Sequence, residues 1–548
     1  MPTTFNIFVT GIVFLSLFLF WVIFLAQAKT IATTPTFYVM AASGMLLGLP
    51  LIYSPGCWIP EATHRIVGLG VGFLYLFSCL QLHFDRRTLA WTINILLLLV
   101  VIQAFVALQQ LFVPEFAWAP LYGKRIYGTF FQPNVLASFI ATGLALALML
   151  FLLPAFSLVR AEYERLRLAG LAVILMVFSA LLVWGQSRAG WLGGIMVLLL
   201  FIGRFGRVYP TGSALACAAI LFGILVGLGG LWFGGETIMS ISHEHSNQAR
   251  WTMLQDTLSM IADKPLLGWG YGSFEFAFQH YRINQATPTI VTEIARHPHN
   301  EVLLWVVEGG VVALIGWAFI LLGAFRVVCR ARRQDREAFV TGSPLAGLPT
   351  ALCIALAPIA IHTQLEYPFY QSALHYFAFL LLFAMADRLS HGTDARPAKT
   401  SHSAPLIATL LSSMALAATV ATGFSLKGKR AITQTELYAM EDITPLKTLP
   451  ALSRWLFQER VIFDEQVNAL LTYNRTHDEQ LLEQYRQWAQ SYLTRRIDKN
   501  VYASLITILC HQGQFASAEH YRRDAARFFP REPTFMNTFP PLSFKEGK

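Results

Sequence analysis

The chain has 548 residues, 55% hydrophobic and only 13% charged, with a formal net charge of +9. Soluble globular domains carry roughly 25% charged residues, so this composition excludes an ordinary soluble enzyme. It also excludes nucleic acid as the reason for the positive charge, because no basic stripe with interleaved aromatics occurs in the sequence.

The apolar residues fall in long blocks, the first at 5–26. This block ends in Ala26-Gln27-Ala28, which resembles a cleavage site. Its apolar run is too long for a signal peptide and no Lys or Arg precedes it, so it reads as a first membrane-spanning helix. Further blocks follow at 89–112, 135–153, 168–183, 214–233, 302–325, 351–361, 376–384 and 406–422. Several reach the roughly 20 residues that a helix needs to cross the hydrocarbon core. Lipid tolerates no unpaired backbone amides, so such blocks must be helical. The expected fold is an all-α polytopic integral membrane protein with about twelve transmembrane helices.

Arginines orient these spans. Basic stretches at 85–87, 160–167, 204–207, 326–336 and 388–399 fall on one side when the spans alternate, and cytoplasmic loops are the ones that gather Lys and Arg. The opposite side, periplasmic in a Gram-negative bacterium, receives 113–133, the turn 186–188, a long loop 234–299, the loop 362–372, the N-terminus and the tail. Residues 1–422 then form the membrane domain. Residues 423–548 form a soluble helical tail, reached through a Gly/Lys junction at 423–430. In the tail, Leu505, Gly513, Phe515, Ala518, Ala525 and Pro530 match the spacing of a tetratricopeptide-like (TPR-like) helix pair, and equally that of an ordinary amphipathic hairpin. The six cysteines form no CxxC and no metal-ligand spacing.

Four polar constellations fall on that opposite side. The first is Lys124-Arg125, Gly128 and Gln132-Pro133-Asn134, where Pro133 fits the first turn of a helix and Gln132 its cap. Its bland alternative is a capped helix start with basic flanks. The second is the tight turn Gln186-Ser187-Arg188. An Arg at membrane depth is costly and often functional, although a snorkelling side chain explains it too. The third runs through the long loop: Arg250-Trp251, then Pro265-Leu266-Leu267-Gly268-Trp269-Gly270, then His297-Pro298-His299-Asn300-Glu301 at the start of a span. A histidine gives and takes a proton near neutrality, Asn300 or Glu301 is placed to orient its ring, and Arg250 and Arg296 suit phosphate oxygens. The fourth is His362, Gln364, Glu366, Tyr367-Pro368 and His375, where Glu366 can pair with an Arg across the site. Basic groups and a candidate base at one membrane face suggest chemistry on an anionic, lipid-linked substrate.

The stretch 250–317 resembles the Wzy/WaaL superfamily of O-antigen polymerases and ligases, through its Arg-Trp, Pro-Leu-Leu-Gly-x-Gly, His-x-His-Asn and Glu-Gly-Gly elements. Arg125, Gly128-Thr129-Phe130, Asn134-Val135-Leu136-Ala137 and Ser187-Arg188 look like the family's upstream motifs. The fourth constellation looks most like the PglL-type bacterial O-oligosaccharyltransferases. The resemblance implies an all-helical glycosyltransferase of the C type. Its donor would be an undecaprenyl-diphosphate-linked oligosaccharide. Its acceptor would be a Ser or Thr hydroxyl of an exported protein such as a pilin. No metal or cofactor is implied, in keeping with the lack of an Asp-x-Asp cluster in an outer loop. It further implies His299 as the base, chosen over His297 because Asn300 adjoins it. Arg188 and Arg250 would hold the diphosphate with help from Arg125, and Glu366 or His362 would shape the acceptor side, with Gln132, Asn134, Asn300 and His297 in support. Within the family, an O-antigen ligase acting on lipid A–core and a polymerase share donor and motifs. A transporter would show an inverted repeat and mid-membrane charges, and a scaffold would leave the Arg/His cluster unexplained.

Overall fold

A computed structural model describes residues 3–27, 29–233, 244–286, 289, 293–391 and 403–536. Parts of the expected long loop (234–243, 287–288, 290–292), most of the basic stretch at 388–399 and the end of the tail lie outside the described residues.

Among the described residues, all regular secondary structure is helical. In chain order come α1 (Thr4–Ala26), α2 (Pro35–Gly48), the short α3 (Pro50–Tyr53), α4 (Ile59–Leu80), α5 (Arg86–Phe112), α6 (Pro133–Leu152), α7 (Ala161–Trp184), α8 (Arg188–Phe205) and α9 (Pro210–Phe233). Two helices of the long loop follow, α10 (Glu244–Asp263) and α11 (Phe274–Asn284). Then come α12 (Glu301–Val340), α13 (Leu348–Thr363), the single turn α14 (Pro368–Gln371), α15 (Ala373–Ser390) and α16 (Ala404–Leu437). Among the described residues, 11 helices are long and apolar enough to cross a membrane, and the 16-residue α13 is a shorter apolar helix. The chain is a polytopic membrane protein, and with α13 the described residues hold twelve apolar helices, in line with the expected number of about twelve. Local sequence explains the starts. Proline at the first position of α2, α6 and α9 lacks an N–H that would otherwise go unpaired, while Thr3, Asp85 and Ser187 cap α1, α5 and α8 with side-chain oxygens.

The buried axis of the bundle is α6, covered along its whole length by α5, α7, α8 and α13. Small residues allow that approach: a side chain on Gly190 of α8 would strike Ala137 of α6. The first constellation therefore leads into the most buried of the candidate spans among the described residues. Alternation is supported at both ends of the bundle. On the arginine-rich face, Arg86 donates to the carbonyls of Ala155 (2.6 Å) and Ser157 (3.2 Å). On the opposite face, Asn6 donates to the Gln371 carbonyl at 2.7 Å and accepts from the Ala373 N–H at 3.1 Å.

The span α12 is two helical segments joined at Gly310, whose φ of 62° and ψ of −150° break the ladder. The Pro-Leu-Leu-Gly-Trp-Gly element fills that break. The Val311 N–H donates to the Pro265 carbonyl (2.9 Å), and the N–H groups of Trp269 and Gly270 donate to the carbonyls of Val307 and Glu308 (both 2.9 Å). A side chain at Gly268 or Gly310 would collide with this paired backbone. Glu308 also accepts from the Phe274 N–H at 2.9 Å and pairs with Arg65, whose guanidinium lies over Tyr271 and Trp305. The motif therefore fastens the long loop to the span that begins just after His299.

The Gly/Lys stretch at 423–430 lies inside α16, which continues unbroken to Leu437. After the short helices α17 (Thr444–Lys447) and α18 (Ala451–Leu456), the tail forms two hairpins, α19 (Gln458–Thr476) with α20 (Glu479–Leu493) and α21 (Lys499–His511) with α22 (Phe515–Phe528). Leu505, Ala518 and Ala525 are buried between the last two, and Gly513 makes the turn with φ 72°. The core of the tail extends into the long loop, taking in Ile283 with Phe276 and Ile294 against it. Arg496 ties the same junction: it donates to Glu275 of α11 (2.8 Å) and forks onto Glu459 of α19 (2.9 and 3.1 Å). Arg496→Met is expected to loosen α11, raising amide exchange across 274–284 about tenfold or more. Exchange that stays at the wild-type rate would mean that the apolar core alone holds the tail.

Candidate active site

Glu366 stands at the centre. It lies in the turn after α13 with its side chain only 3% exposed, so its charge must be met by protein groups. Its Oε1 accepts from Arg250 Nη2 and from Asn134 Nδ2, both at 2.6 Å. Its Oε2 faces Gln132 Nε2 at 3.4 Å and His362 Nε2 at 3.3 Å. Burial raises the Glu366 carboxyl, but the contact with His362, the Arg250 charge and the Asn134 hydrogen bond outweigh it and hold the group well below the usual carboxylate range.

Behind Glu366 runs a buried polar chain. His375 Nε2 is 3.0 Å from the Val135 carbonyl, which can only accept, so that nitrogen carries hydrogen and Nδ1 accepts from Ser372 Oγ at 2.9 Å. His362 Nε2 likewise donates to the carboxylate, leaving Nδ1 to accept from Ser138 Oγ at 2.8 Å. Both histidines are fully buried, and each has hydrogen-bond partners at both ring nitrogens. They hold the carboxylate in place.

Two further guanidiniums flank it. Arg125 reaches across the mouth of α6 to Asn134 Oδ1 (3.2 Å) and the carbonyls of Gly185 (3.2 Å) and Gln186 (3.1 Å). Ser187 Oγ donates to the same Asn134 oxygen at 2.7 Å. Arg188, first residue of α8, lies within electrostatic reach of Arg250 and Glu366. Burial lowers the Arg125 guanidinium's proton affinity; Glu366 opposes this, and Arg188 and Arg250 reinforce it. Three guanidiniums against one carboxylate leave an excess of positive charge in a partly dry site, which is an anion-binding arrangement. Arg296 does not join it: exposed, it pairs with Glu275 at 3.5 Å.

His299 borders the cluster at the foot of α12, half-buried, with φ 54°. Its Nδ1 is buried and has no hydrogen-bond partner among the described residues. Burial first, then the Arg250 charge, push the imidazole down to about 4, with Glu366 opposing. The ring is therefore neutral and able to accept a proton. Neither neighbour orients it. Asn300 instead caps α12, accepting from the Leu303 N–H at 2.9 Å, and contacts Gln364. Glu301 faces inward, 3.6 Å from His297 Nε2, and accepts from Trp305 and Tyr370 at 2.8 Å. His297, packed on Tyr367, accepts the His299 N–H on its Nδ1 at 3.1 Å. That places His297 as a backbone support for His299.

The structure thus brings Arg125, Gln132, Asn134, Arg188, Arg250, His299, His362 and Glu366 to one face, with His297 and Asn300 shaping the segment that presents His299. Of the non-glycine residues with positive φ, Phe131, Gln186 and His299 all border this site; such backbone strain gathers at functional sites. Sequence reasoning missed the clamp beneath Arg125. Gln110 Oε1 accepts from the N–H groups of Tyr127 (3.0 Å) and Gly128 (2.9 Å), and Gln103 Oε1 from that of Thr129 (3.0 Å). The available signal was two glutamines seven apart on one face of an apolar span.

Two family models match. Residues 171–318 match a family described as O-antigen ligase, and residues 350–541 match the C-terminal region of a virulence factor membrane-bound polymerase. Arg188, Arg250 and His299 fall in the first match; His362, Glu366 and the tail up to residue 541 fall in the second. A general O-oligosaccharyltransferase of Acinetobacter baylyi is 25% identical over 280 residues, 48% of this chain and 43% of that protein, so the match spans less than half of the relative's length. With Arg188, Arg250, His299, His362 and Glu366 inside these matches and assembled on one membrane face, the chain is similar to O-antigen ligases and membrane-bound polymerases over those two segments, and to an O-oligosaccharyltransferase over about half of its length.

Proposed function

We propose that the chain is a glycosyltransferase that moves a glycan en bloc from an undecaprenyl-diphosphate-linked donor to Ser or Thr hydroxyls of exported proteins such as pilins. It would act at the periplasmic face of a bacterial inner membrane. One observation carries this reading: Arg125, Arg188 and Arg250 gather round one carboxylate, beside a neutral histidine, at the ends of spans on a single face. A glycosyl diphosphate ester is a dianion, matched by that excess of positive charge. In the reaction the acceptor O–H gives its proton to the His299 imidazole. The oxygen attacks the anomeric carbon, and the bond from that carbon to the phosphate oxygen breaks with its electron pair. The leaving diphosphate gains a negative charge, which Arg188 and Arg250 stabilise. Glu366 holds Arg250 in place before the donor arrives.

The base fixes a pH dependence. Because the His299 imidazole is depressed to about 4, it stays neutral at pH values where a free histidine, with a pKa of about 6.5, is already protonated. The acid limb of kcat/KM for the donor is expected near the depressed value, since that parameter reports the free enzyme. With donor saturating, the bound dianion offsets Arg250 and the limb moves up. A limb in the ordinary histidine range in the free enzyme would contradict this assignment.

The acceptor separates this reading from O-antigen ligation and polymerisation, which the descriptions of the matching family models favour. Deleting the gene from a host that makes the lipid-linked donor, then comparing its glycoproteins and lipopolysaccharide with the parent, tests it. Loss of protein-bound glycan with unchanged lipopolysaccharide is expected; the reverse pattern would replace the protein acceptor with lipid A–core.

A further inference from the structure

The loop between α5 and α6 forms a cleft of about 540 Å³ lined by Tyr122, Lys124, Arg125, Tyr127, Phe131 and Pro133. Tyr127 is its floor. Its hydroxyl is committed, donating to the Pro120 carbonyl and accepting from the Tyr122 N–H at 2.7 Å. Phe131 stacks on that ring, centroids 5.3 Å apart at 29°, yet its side chain is half-exposed and its backbone holds φ 58°. A bulky aromatic in left-handed backbone is costly and persists only where the surroundings enforce it. Here Gln103 and Gln110 pin the backbone of 127–129 from below, so the aromatic wall is formed in advance. Arg125 is common to cleft and anion cluster: it lines the cleft while its guanidinium reaches Asn134 and the turn before Arg188.

We propose that this cleft seats the first sugar of the donor, the residue esterified to the diphosphate, with the Phe131 and Tyr122 rings as its stacking wall. This rests on the glycosyltransferase reading above. Position decides against the isoprenyl chain as occupant. The cleft lies beyond Pro133, at the end of α6, and carries the Lys124 ammonium, which hydrocarbon disfavours. A pyranose offers apolar C–H faces to aromatic rings and hydroxyls to Lys124 and water. Its anomeric phosphate then falls towards Arg125, on the side where Arg188 and Arg250 wait.

The test compares Phe131→Leu with the wild type in reconstituted membranes, using glycosylated undecaprenyl diphosphate as substrate and sugar-free undecaprenyl diphosphate as competitor. KM for the donor should rise about tenfold, with kcat little changed and the competitor's Ki unaltered. Phe131→Trp should restore the wild-type KM. Should Phe131→Leu fail to accumulate, Tyr122→Leu at the exposed mouth gives the same readout. An unchanged donor KM overturns the proposal. So does a parallel rise in KM and Ki, which would assign the cleft to the diphosphate or the lipid. Both outcomes leave the glycosyltransferase reading standing, whereas a wild-type chain that transfers no glycan at all removes that reading too.

Discussion

His299→Ala is expected to cut glycan transfer by about 10²–10⁴-fold, the usual contribution of a positioned general base, with membrane levels of the protein unchanged. The physical reasons are specific to this side chain. Its Nδ1 has no partner among the described residues, and burial first, then the neighbouring Arg250 charge, keep the ring neutral. It is not part of the buried packing that holds α12, a role taken by Asn300 as cap and Glu301 facing inward. The fall should appear in kcat. His297→Ala, by contrast, removes the acceptor for the His299 N–H and the packing on Tyr367. It should lower activity less and be accompanied by a lower melting temperature. If His299→Ala keeps full activity, the base lies elsewhere.

Arg250→Gln is expected to lower kcat by about 10²–10³-fold, the scale seen when one group that stabilises developing negative charge is removed. The substitution also leaves the buried Glu366 carboxylate short of its closest cation, so a loss of stability is expected alongside. The double variant Arg250→Gln with Glu366→Gln separates the two effects. Removing the orphaned charge should restore the melting temperature, while activity stays low because the leaving diphosphate still lacks its guanidinium. Recovery of activity together with stability in the double variant would show that Arg250 serves only to neutralise Glu366. Arg250→Lys should recover little, since a point charge cannot fork onto both Glu366 and a phosphate oxygen.

The spans were legible because lipid imposes a length and a composition that no soluble helix needs. The spans Pro35–Tyr53 and Gly56–Leu80 stood out less, being interrupted by proline and less apolar. The site was legible in pieces: Arg188, His299 and Glu366 each stand close to the end of an apolar block, where charge is costly enough to call for a reason, and Arg125 and Arg250 stand in the loops on the same side. The pairing of Glu366 with an arginine was legible too, but the other partners were not. That Asn134 serves Arg125, Ser187 and Glu366 at once, or that Asn300 caps a helix rather than orienting a ring, depends on three-dimensional approach between segments far apart in sequence. The Pro-Leu-Leu-Gly-Trp-Gly element showed as a motif, but its role follows only from the break at Gly310 that it fills. Arg496 was invisible in the same way: nothing in a charged tail marks one arginine as the tie to the loop helix.

The most direct test of the account is reconstitution: the purified full chain in liposomes, undecaprenyl-diphosphate-linked oligosaccharide as donor, an exported pilin as acceptor, and intact-mass spectrometry of the pilin. The account predicts a pilin heavier by one glycan, attached at Ser or Thr, and absent with His299→Ala. A pilin of unchanged mass, with the same preparation loading glycan onto lipid A–core, would contradict it.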